Sequence, residues 1–212
     1  MSSIVVSGDT SGSVTLQAPA VAGSTVLTLP AVSGTVITTA TGQTLTSPVI
    51  SGTPSGVGTL TSGTAVASTS GTSIDFTGIP SWVKRITVMF NGVSVNGVAD
   101  VIVQVGSGTV ATTGYLTTRS YLVTSSVGAG ASSSTSIFIA ATNLAADLKC
   151  GHVILTNISS NIWVSSGVIS ASSLVTWGAG NITLSGTLDR VRITTSNGTD
   201  TFDAGSINIM YE

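Results

Sequence analysis

The sequence is short of charge: only 7% of its 212 residues are Asp, Glu, Lys or Arg, against about 25% in ordinary soluble domains. Its six basic residues and formal net charge of -2 argue against a nucleic-acid-binding protein, because such proteins neutralise phosphates with Lys and Arg. The polar surface comes instead from 34 Ser, 34 Thr and 25 Gly residues. A hydrophobic share of 42% is too high for a disordered chain, and we expect the protein to fold.

Long apolar runs are also missing. No window approaches the roughly 18 apolar residues that a membrane span needs, and the opening segment Met1–Val6 has neither the basic start nor the apolar stretch of a signal peptide. We therefore expect a soluble protein with no membrane insertion and no secretion signal. The single cysteine, Cys150, cannot form an internal disulfide, so packing or association with other chains must hold the fold.

Residues for catalysis or metal binding are scarce. Cys150 and His152 are the only residues of their types, and a spacing of two places both on one face of a strand. Such a pair could form a thiolate nucleophile, but passive packing is more common and we expect a buried cysteine. Two ligands are too few for structural zinc. The segment Asn197–Gly205 lacks the closing glutamate of a calcium loop, so we predict a polar hairpin loop, no metal and no cofactor.

The distribution of charge divides the chain. No charged residue occurs in the 65 positions between Asp9 and Asp75, and every basic residue lies from Lys84 onward. This pattern predicts a boundary near residue 70, with an extended arm over residues 1–69 and a globular domain over residues 70–212. Short alternating runs in the arm are interrupted by residues that oppose helix and favour extended chain, namely Pro19, Pro30, Pro48 and Pro54.

From about residue 72, longer runs of β-branched and aromatic residues alternate with Gly, Asn and Ser clusters. This pattern predicts an all-β fold: an extended N-terminal arm followed by an antiparallel β-sandwich of jelly-roll-like type. The predicted strands are Ser73–Thr77, Arg85–Phe90, Ala99–Val105, Thr118–Val123, Ser136–Ala140, His152–Thr156, Asn161–Val164, Ser173–Trp177, Asn181–Leu184, Arg190–Thr195 and Ser206–Tyr211.

Two local patterns predict the connections. Asn-Gly dipeptides accept positive φ cheaply, so each is expected to close a tight turn between neighbouring strands. The three dipeptides are Asn91-Gly92, Asn96-Gly97 and Asn197-Gly198. The segment Asn143–Lys149 is the one plausible helical turn.

Four aromatic residues are candidates for contact with a glycan, because flat aromatic faces suit the apolar faces of sugar rings. They are Tyr115, Tyr121, Trp163 and Trp177. The alternative for each is core packing, since aromatics form only 5% of the chain and the fold needs large side chains inside.

Residues 70–94, SGTSIDFTGIPSWVKRITVMFNGVS, resemble a segment recurrent in virion proteins of tailed bacteriophages. The resemblance continues through Thr113–Tyr115, Ile162–Gly167, Val191–Thr194 and Asn197–Ile209. It covers most of residues 70–212. In addition, Gly12–Pro30 is similar to the arm near the attachment end of phage fibre and decoration proteins.

The resemblance implies a non-enzymatic structural subunit, made in the host cytoplasm, that forms a homotrimer on the virion surface and is anchored by its N-terminal part. The arm, residues 1–69, is expected to serve both attachment and trimerisation, and residues 70–212 are expected to form the exposed knob. It carries over no catalytic, cofactor-binding or metal-binding residue. Head decoration, head-fibre and tail-fibre proteins all fit. A tail fibre needs a long shaft, so the short arm favours docking on the major capsid protein lattice over docking on tail or baseplate proteins.

Two alternatives remain open. The first is a tail fibre or receptor-binding protein that recognises a host surface glycan through loops around Tyr115, Ser125–Ser134 and Trp163. The second is a hydrolase, which requires that acidic residues converge in one cleft. The acidic residues in question are Asp100, Asp147, Asp189, Asp200 and Asp203.

Overall fold

The computed structural model describes residues 3–7, 13–17, 60–123, 126–128 and 130–212. Within these ranges the regular elements are all β-strands and no helix occurs, so the prediction of an all-β chain is confirmed. The chain divides into two compact units, Met1–Pro54 and Ser55–Glu212. Most of the predicted arm, including its four prolines, lies outside the described residues.

The described part of the chain contains 17 strands. Their bounds are β1 Ser3–Ser7, β2 Ser13–Gln17, β3 Thr61–Ser62, β4 Val66–Ala67, β5 Ser73–Thr77, β6 Arg85–Val95, β7 Val101–Ser107, β8 Thr109–Val110, β9 Leu116–Val123, β10 Ser126–Val127, β11 Ala131–Ser133, β12 Phe138–Ala140, β13 Lys149–Ser159, β14 Ile162–Ser170, β15 Leu174–Thr183, β16 Arg190–Thr195 and β17 Phe202–Tyr211.

The first unit contributes one strand pair. β1 and β2 pair antiparallel, with Val5 opposite Thr15. The alternating run Val14–Leu16 lies within β2.

The second unit begins before the predicted boundary near residue 70. It starts at Ser55, and both β3 and β4 pair with β17. Backbone hydrogen bonds fix these short strands: Gly63 N donates to Ile209 O at 2.8 Å and Ser68 N donates to Gly205 O at 2.9 Å. Residues in the sixties therefore belong to the edge of the sandwich.

Two antiparallel sheets form the second unit. The large sheet has the order β10-β9-β15-β14-β13-β6-β17-β3, with β11 beside β9 and β4 beside β17. The small sheet has the order β12-β7-β16-β5, with β8 beside β7. Buried residues of both sheets form one core cluster, so the predicted antiparallel sandwich is confirmed. The chain crosses repeatedly between sheets, as the strands of a jelly roll do.

Alternation along each strand decides which side chains enter the core. In β5, Ile74 and Phe76 are buried while the residues on either side of each are exposed. β16 follows the same period of two, with Val191 and Ile193 inside. Each such side chain contributes about 1.5–3 kcal/mol when it is fully buried, so the pattern fixes which face of each strand points inward.

The predicted helical turn over Asn143–Lys149 is wrong. The segment forms a compact turn, and Lys149 already begins β13. The cause is the Asp147 carboxylate, which accepts the backbone N–H groups of Asn143 at 3.0 Å and Leu144 at 2.9 Å. A side-chain acceptor of this kind gives the backbone an alternative to helical hydrogen bonds.

The prediction that each Asn-Gly dipeptide closes a tight turn between neighbouring strands is also wrong. Asn91-Gly92 lies inside β6, where Gly92 has a φ of 63° and the register against β17 shifts. The other two dipeptides lie between β6 and β7 and between β16 and β17, strands that belong to different sheets. Positive φ is thus used for a bulge at Gly92, and the other two pairs serve crossings between sheets instead of hairpins.

Two predicted strands, Ser173–Trp177 and Asn181–Leu184, are parts of the single strand β15. The glycines between them suggested a break, but they are needed for close approach. A Cβ at Gly180 would collide with Thr117 Oγ1 and the Ile137 carbonyl oxygen. Glycine inside a strand often marks such a contact.

Candidate functional site

A shallow groove of about 700 Å³ lies on the outer face of the large sheet, over β9, β15, β14 and β13. One row of paired residues crosses it: Ser120 is opposite Trp177, Trp177 is opposite Val168, and Val168 is opposite His152. Trp177 is 43% exposed. The groove is therefore an open surface with one indole in it, and it is not an enclosed pocket.

Strand alternation places these side chains outside. Thr176 and Ile169, the sequence neighbours of Trp177 and Val168, are buried in the sandwich. The next row of the face contains small residues, with Ala179 opposite Ser166. Small side chains beside an indole leave room for a flat ligand or for a knob from another protein.

The groove is nearly free of charge. Among its lining residues the one ionic side chain is Arg119, which is only 9% exposed. Its Nη2 donates to Asp100 Oδ2 at 2.7 Å, and its guanidinium lies 5.1 Å from the ring centroid of Tyr121. Because this cation is already paired and points inward, the surface suits a neutral partner better than an acidic one.

Two of the four predicted glycan-contact residues lie in the core. Tyr115 and Trp163 are both buried. The Tyr115 hydroxyl donates to Ala111 O at 2.8 Å and accepts from Val105 N at 3.0 Å. Burial raises the pKa of Tyr115 to about 12, and the bond from Val105 opposes that rise. Both rings pack inside the protein and have no free face for a sugar.

The other two candidates reach the surface. Tyr121 is half-buried beside Arg119, and Gly128 packs against its ring. Trp177 lies in the groove. The structure thus leaves Trp177 and Tyr121 able to contact a ligand, with Trp177 the more exposed, and glycan contact stays a prediction.

Cys150 is exposed, so the prediction of a buried cysteine is wrong. Alternation along β13 places Lys149 inward, in step with the buried Val153 and Leu155, and Cys150 outward. His152 is exposed as well, and the predicted shared face is confirmed. Gly92 N donates to Cys150 Sγ at 3.3 Å. Among the described residues, no group of three or more His, Cys, Asp or Glu could hold a metal ion.

The segment Asn197–Gly205, weighed above as a calcium loop, uses its oxygens for its own turn. Asn197 Oδ1 accepts the N–H groups of Thr199 and Asp200, each at 3.0 Å. Asn197 Nδ2 in turn donates to Asp200 at 2.8 Å, and Ala99 N donates to the same carboxylate at 3.0 Å. The bonds from Asn197 and Ala99 both lower the pKa of Asp200, and the bond from Asn197 has the larger effect.

Sequence reasoning missed buried polar residues at the start of β13, Lys149 and the neighbouring Asp147. Lys149 is fully buried, and its Nζ has no hydrogen-bond partner among the described residues. Burial lowers the pKa of Lys149, while the charges of Asp147, Asp100 and Asp203 oppose the shift. The buried face of β13 thus carries a cation, which is costly in an apolar interior.

Asp147 is the first of the three carboxylates around Lys149 and is itself fully buried. Burial would raise the pKa of Asp147, but the N–H groups of Leu144 and Asn143, the Ser173 hydroxyl and the Lys149 charge together hold it below its usual value. Its Oδ1 accepts from Ser173 Oγ at 2.9 Å. Asp147 is therefore satisfied as an anion without a direct bond from Lys149.

The acidic residues that a hydrolase would need do not gather in one cleft. The charges of Asp100, Asp147 and Asp203 all act on the buried Lys149, whereas Asp189 pairs with Arg190 at 2.8 Å and Asp200 belongs to the turn described above. Of the first three, Asp147 is buried and bonded to Ser173, Asp100 is bonded to Arg119, and Asp203 is exposed.

No protein-family model, curated protein or solved structure matches the chain. In the part of the chain that the structure describes, no helix is long and apolar enough to cross a membrane.

Proposed function

We propose that the chain is a non-enzymatic structural protein of a tailed-phage virion, a homotrimeric decoration or head-fibre protein on the virion surface. Its arm, the part of the chain before Ser55, docks on the major capsid protein lattice, and the unit that contains the sandwich, Ser55–Glu212, is exposed. The observation that carries the proposal is the open, almost uncharged outer face of the large sheet. Such a broad face suits contact with another protein, whereas enzymes place convergent polar groups in a concave site.

Three of the segments that resemble phage virion proteins lie together in the fold. Residues 70–94 contain β5 and most of β6, residues 191–194 lie in β16, and residues 197–209 contain most of β17. β16 pairs with β5, and β17 pairs with β6. Segments about 100 residues apart in sequence thus form one connected part of the sandwich, which supports treating the resemblance as that of a single domain.

Attachment through the arm follows from its composition. The part of the chain before Ser55 has a single charged residue, Asp9, so it gains little from exposure to water but gains apolar burial and strand pairing on a partner's sheet edge. A subunit that binds the assembled lattice and not the free shell protein stabilises the lattice by mass action. Decoration then requires binding alone and no chemistry.

A chain that begins at Ser55 tests the role of the arm. It keeps the whole second unit, Ser55–Glu212, and should remain folded because both sheets of the sandwich lie inside it. We expect its affinity for capsids lacking the protein to fall by about tenfold or more, a loss of at least about 1.4 kcal/mol. Co-sedimentation with such capsids measures this, with the full chain as the reference. Equal binding by the two chains would contradict docking through the arm.

The second candidate function is a tail fibre or receptor-binding protein that recognises a host surface glycan. One observation favours it: Trp177 lies half-exposed in a neutral groove, and an indole suits the apolar face of a sugar ring. In that case W177A should abolish adhesion of the protein to host cells. W82A is the matched control, because Trp82 is 46% exposed and packs against Tyr211 away from the groove. Equal adhesion by both variants and the wild type would remove this candidate.

A further inference from the structure

Four large hydrophobic side chains share the outer face of the large sheet. Leu116 and Leu122 on β9, Val168 on β14 and Trp177 on β15 are between 43% and 70% exposed. Leu116, Val168 and Trp177 each adjoin a buried residue that points into the sandwich. Leu122 lies an even number of residues after Leu116 in β9 and therefore on the same face. Exposed hydrophobic residues on one face form a patch, and patches of this kind mark interaction surfaces.

The same face carries almost no charge. Among the outward-facing residues that the structure describes on β9, β15, β14 and β13, none is Asp, Glu, Lys or Arg. The ionic groups beside these strands are Arg85 and Glu212, which form an ion pair with each other, and Lys84, whose Nζ donates to Asn157 Oδ1 at 3.4 Å. Small polar residues such as Ser120, Ser166 and Thr118 separate the large ones. Two copies of such a face can meet without repulsion between like charges.

The size of the face matches an interface between proteins. The six long strands from β9 to β17 span about 24 Å across, and ten residues extend about 33 Å along a strand. The face thus measures roughly 800 Å², the area that each partner contributes to a standard interface. A sugar ring on Trp177 would leave most of it uncovered, since Leu116 and Leu122 lie about 20 Å apart along β9.

We propose that the outer face of the large sheet, centred on Val168 and Trp177, is the surface through which copies of this chain associate. The inference rests on the proposed function, because it names the part of the chain that holds the expected homotrimer together. The contacts are made by the sandwiches and not by the arms. In a three-fold assembly the outer face of each copy would turn towards the common axis, where it meets the same face of both other copies. Packed sheets of this kind bury alternate side chains as the core of a sandwich does. The partner is a second copy because the face is neutral, apolar and self-compatible.

The test is the mass of the purified full chain in solution, measured by light scattering for the wild type, V168E and V98E. Val168 and Val98 are both more than half exposed, but Val98 lies on the loop between β6 and β7. We expect the wild type and V98E to have a mass of three times 21.0 kDa. V168E buries an unpaired carboxylate on association, so its association should weaken by about 100-fold or more.

The thiol of Cys150 provides a second readout on the same face, because it is the chain's one cysteine and is exposed in the single chain. A bulky maleimide should react slowly with the associated wild type and about tenfold faster with V168E. If V168E does not fold, the isosteric V168T should show the same changes to a smaller degree.

A monomeric wild type overturns the proposal, whatever the thiol rate, and so does a variant V168E with the mass and thiol rate of V98E. A monomer whose tryptophan fluorescence shifts with a neutral oligosaccharide assigns the face to a sugar instead. These measurements use no virus particles, so failure of capsid binding by the full chain would count against the proposed function and leave this inference standing.

Discussion

Replacing Asp100 by Ala should lower the free energy of unfolding by about 3–5 kcal/mol, the cost of breaking a buried ion pair from one side. Asp100 Oδ2 accepts from Arg119 Nη2 at 2.7 Å, and Oδ1 accepts from Thr142 N at 2.9 Å. Arg119 Nε and Nη1 have no partner of their own among the described residues. D100A would therefore leave a buried guanidinium without any hydrogen bond and a backbone N–H unpaired.

D75A is the matched control for D100A. Asp75 binds Arg192 through two hydrogen bonds of 2.6 Å each, a better geometry than that of the Asp100 pair. Both side chains are about one-third exposed, however, and exposed pairs contribute about 0–1 kcal/mol. Urea unfolding of both variants thus tests whether burial or hydrogen-bond geometry decides how much an ion pair contributes to stability. A cost for D100A no larger than that of D75A would show that water reaches Arg119.

The double variant D100A/R119M separates the loss of the pair from the orphaned charge. If the cost of D100A arises from an unpaired buried cation, removing that cation as well should restore most of the lost stability. If the double variant is as unstable as D100A, the cost lies in the bond to Thr142 or in packing at the end of the sandwich.

The sequence predicted strands best where alternation is uninterrupted. β5 and β16 have the predicted bounds, because β-branched and aromatic residues alternate with polar ones and turn residues flank them. β15 was divided in two because Gly178 and Gly180 resemble a break. Glycine is needed at both positions because Thr117, Arg119 and the Ile137 carbonyl oxygen come too close to leave room for a Cβ. These contacts join residues far apart in the chain, so a single sequence does not reveal them.

The candidate site could be predicted by residue type but not by position. Trp163 and Trp177 lie on neighbouring strands, yet Trp163 is buried and Trp177 is exposed. The difference is one of strand parity, since a shift of one residue moves a side chain to the other face. The alternation around Trp177, between Thr176 and Gly178, is too weak to assign its face. Lys149 is buried because it has the parity of Val153 and Leu155 in β13, and the predicted strand began at His152, too late to include it.

Replacing Lys149 by Met should stabilise the protein by about 1–4 kcal/mol at pH 7, as exchange of buried ionic groups for apolar ones often does. The Lys149 amine is buried without a hydrogen bond, and Met has a flexible stem suited to the same space. The nearby carboxylates keep other donors: Asp147 keeps Leu144 N, and Asp203 keeps the Ser94 hydroxyl.

The advantage of K149M should shrink as the pH rises from 7 towards 10. Burial lowers the pKa of Lys149 below its ordinary value of 10.5, so between the two values the unfolded wild type binds more protons than the folded one. Wild-type stability therefore rises with pH in that window, and the variant lacks this rise. The pKa of Tyr115, raised to about 12, makes the protein less stable as the pH rises above 10. This effect is the same in the wild type and in K149M, so it cancels in the comparison.

K84M is the control for K149M, because Lys84 is the chain's other lysine and is exposed. Its substitution should change stability by no more than about 0.5 kcal/mol and without this pH dependence. Urea unfolding of the three chains at pH 7 and pH 10 tests both points. If K149M is less stable than the wild type at pH 7, the attraction of Asp147, Asp100 and Asp203 outweighs the cost of burying the amine, and the cluster then stabilises the sandwich.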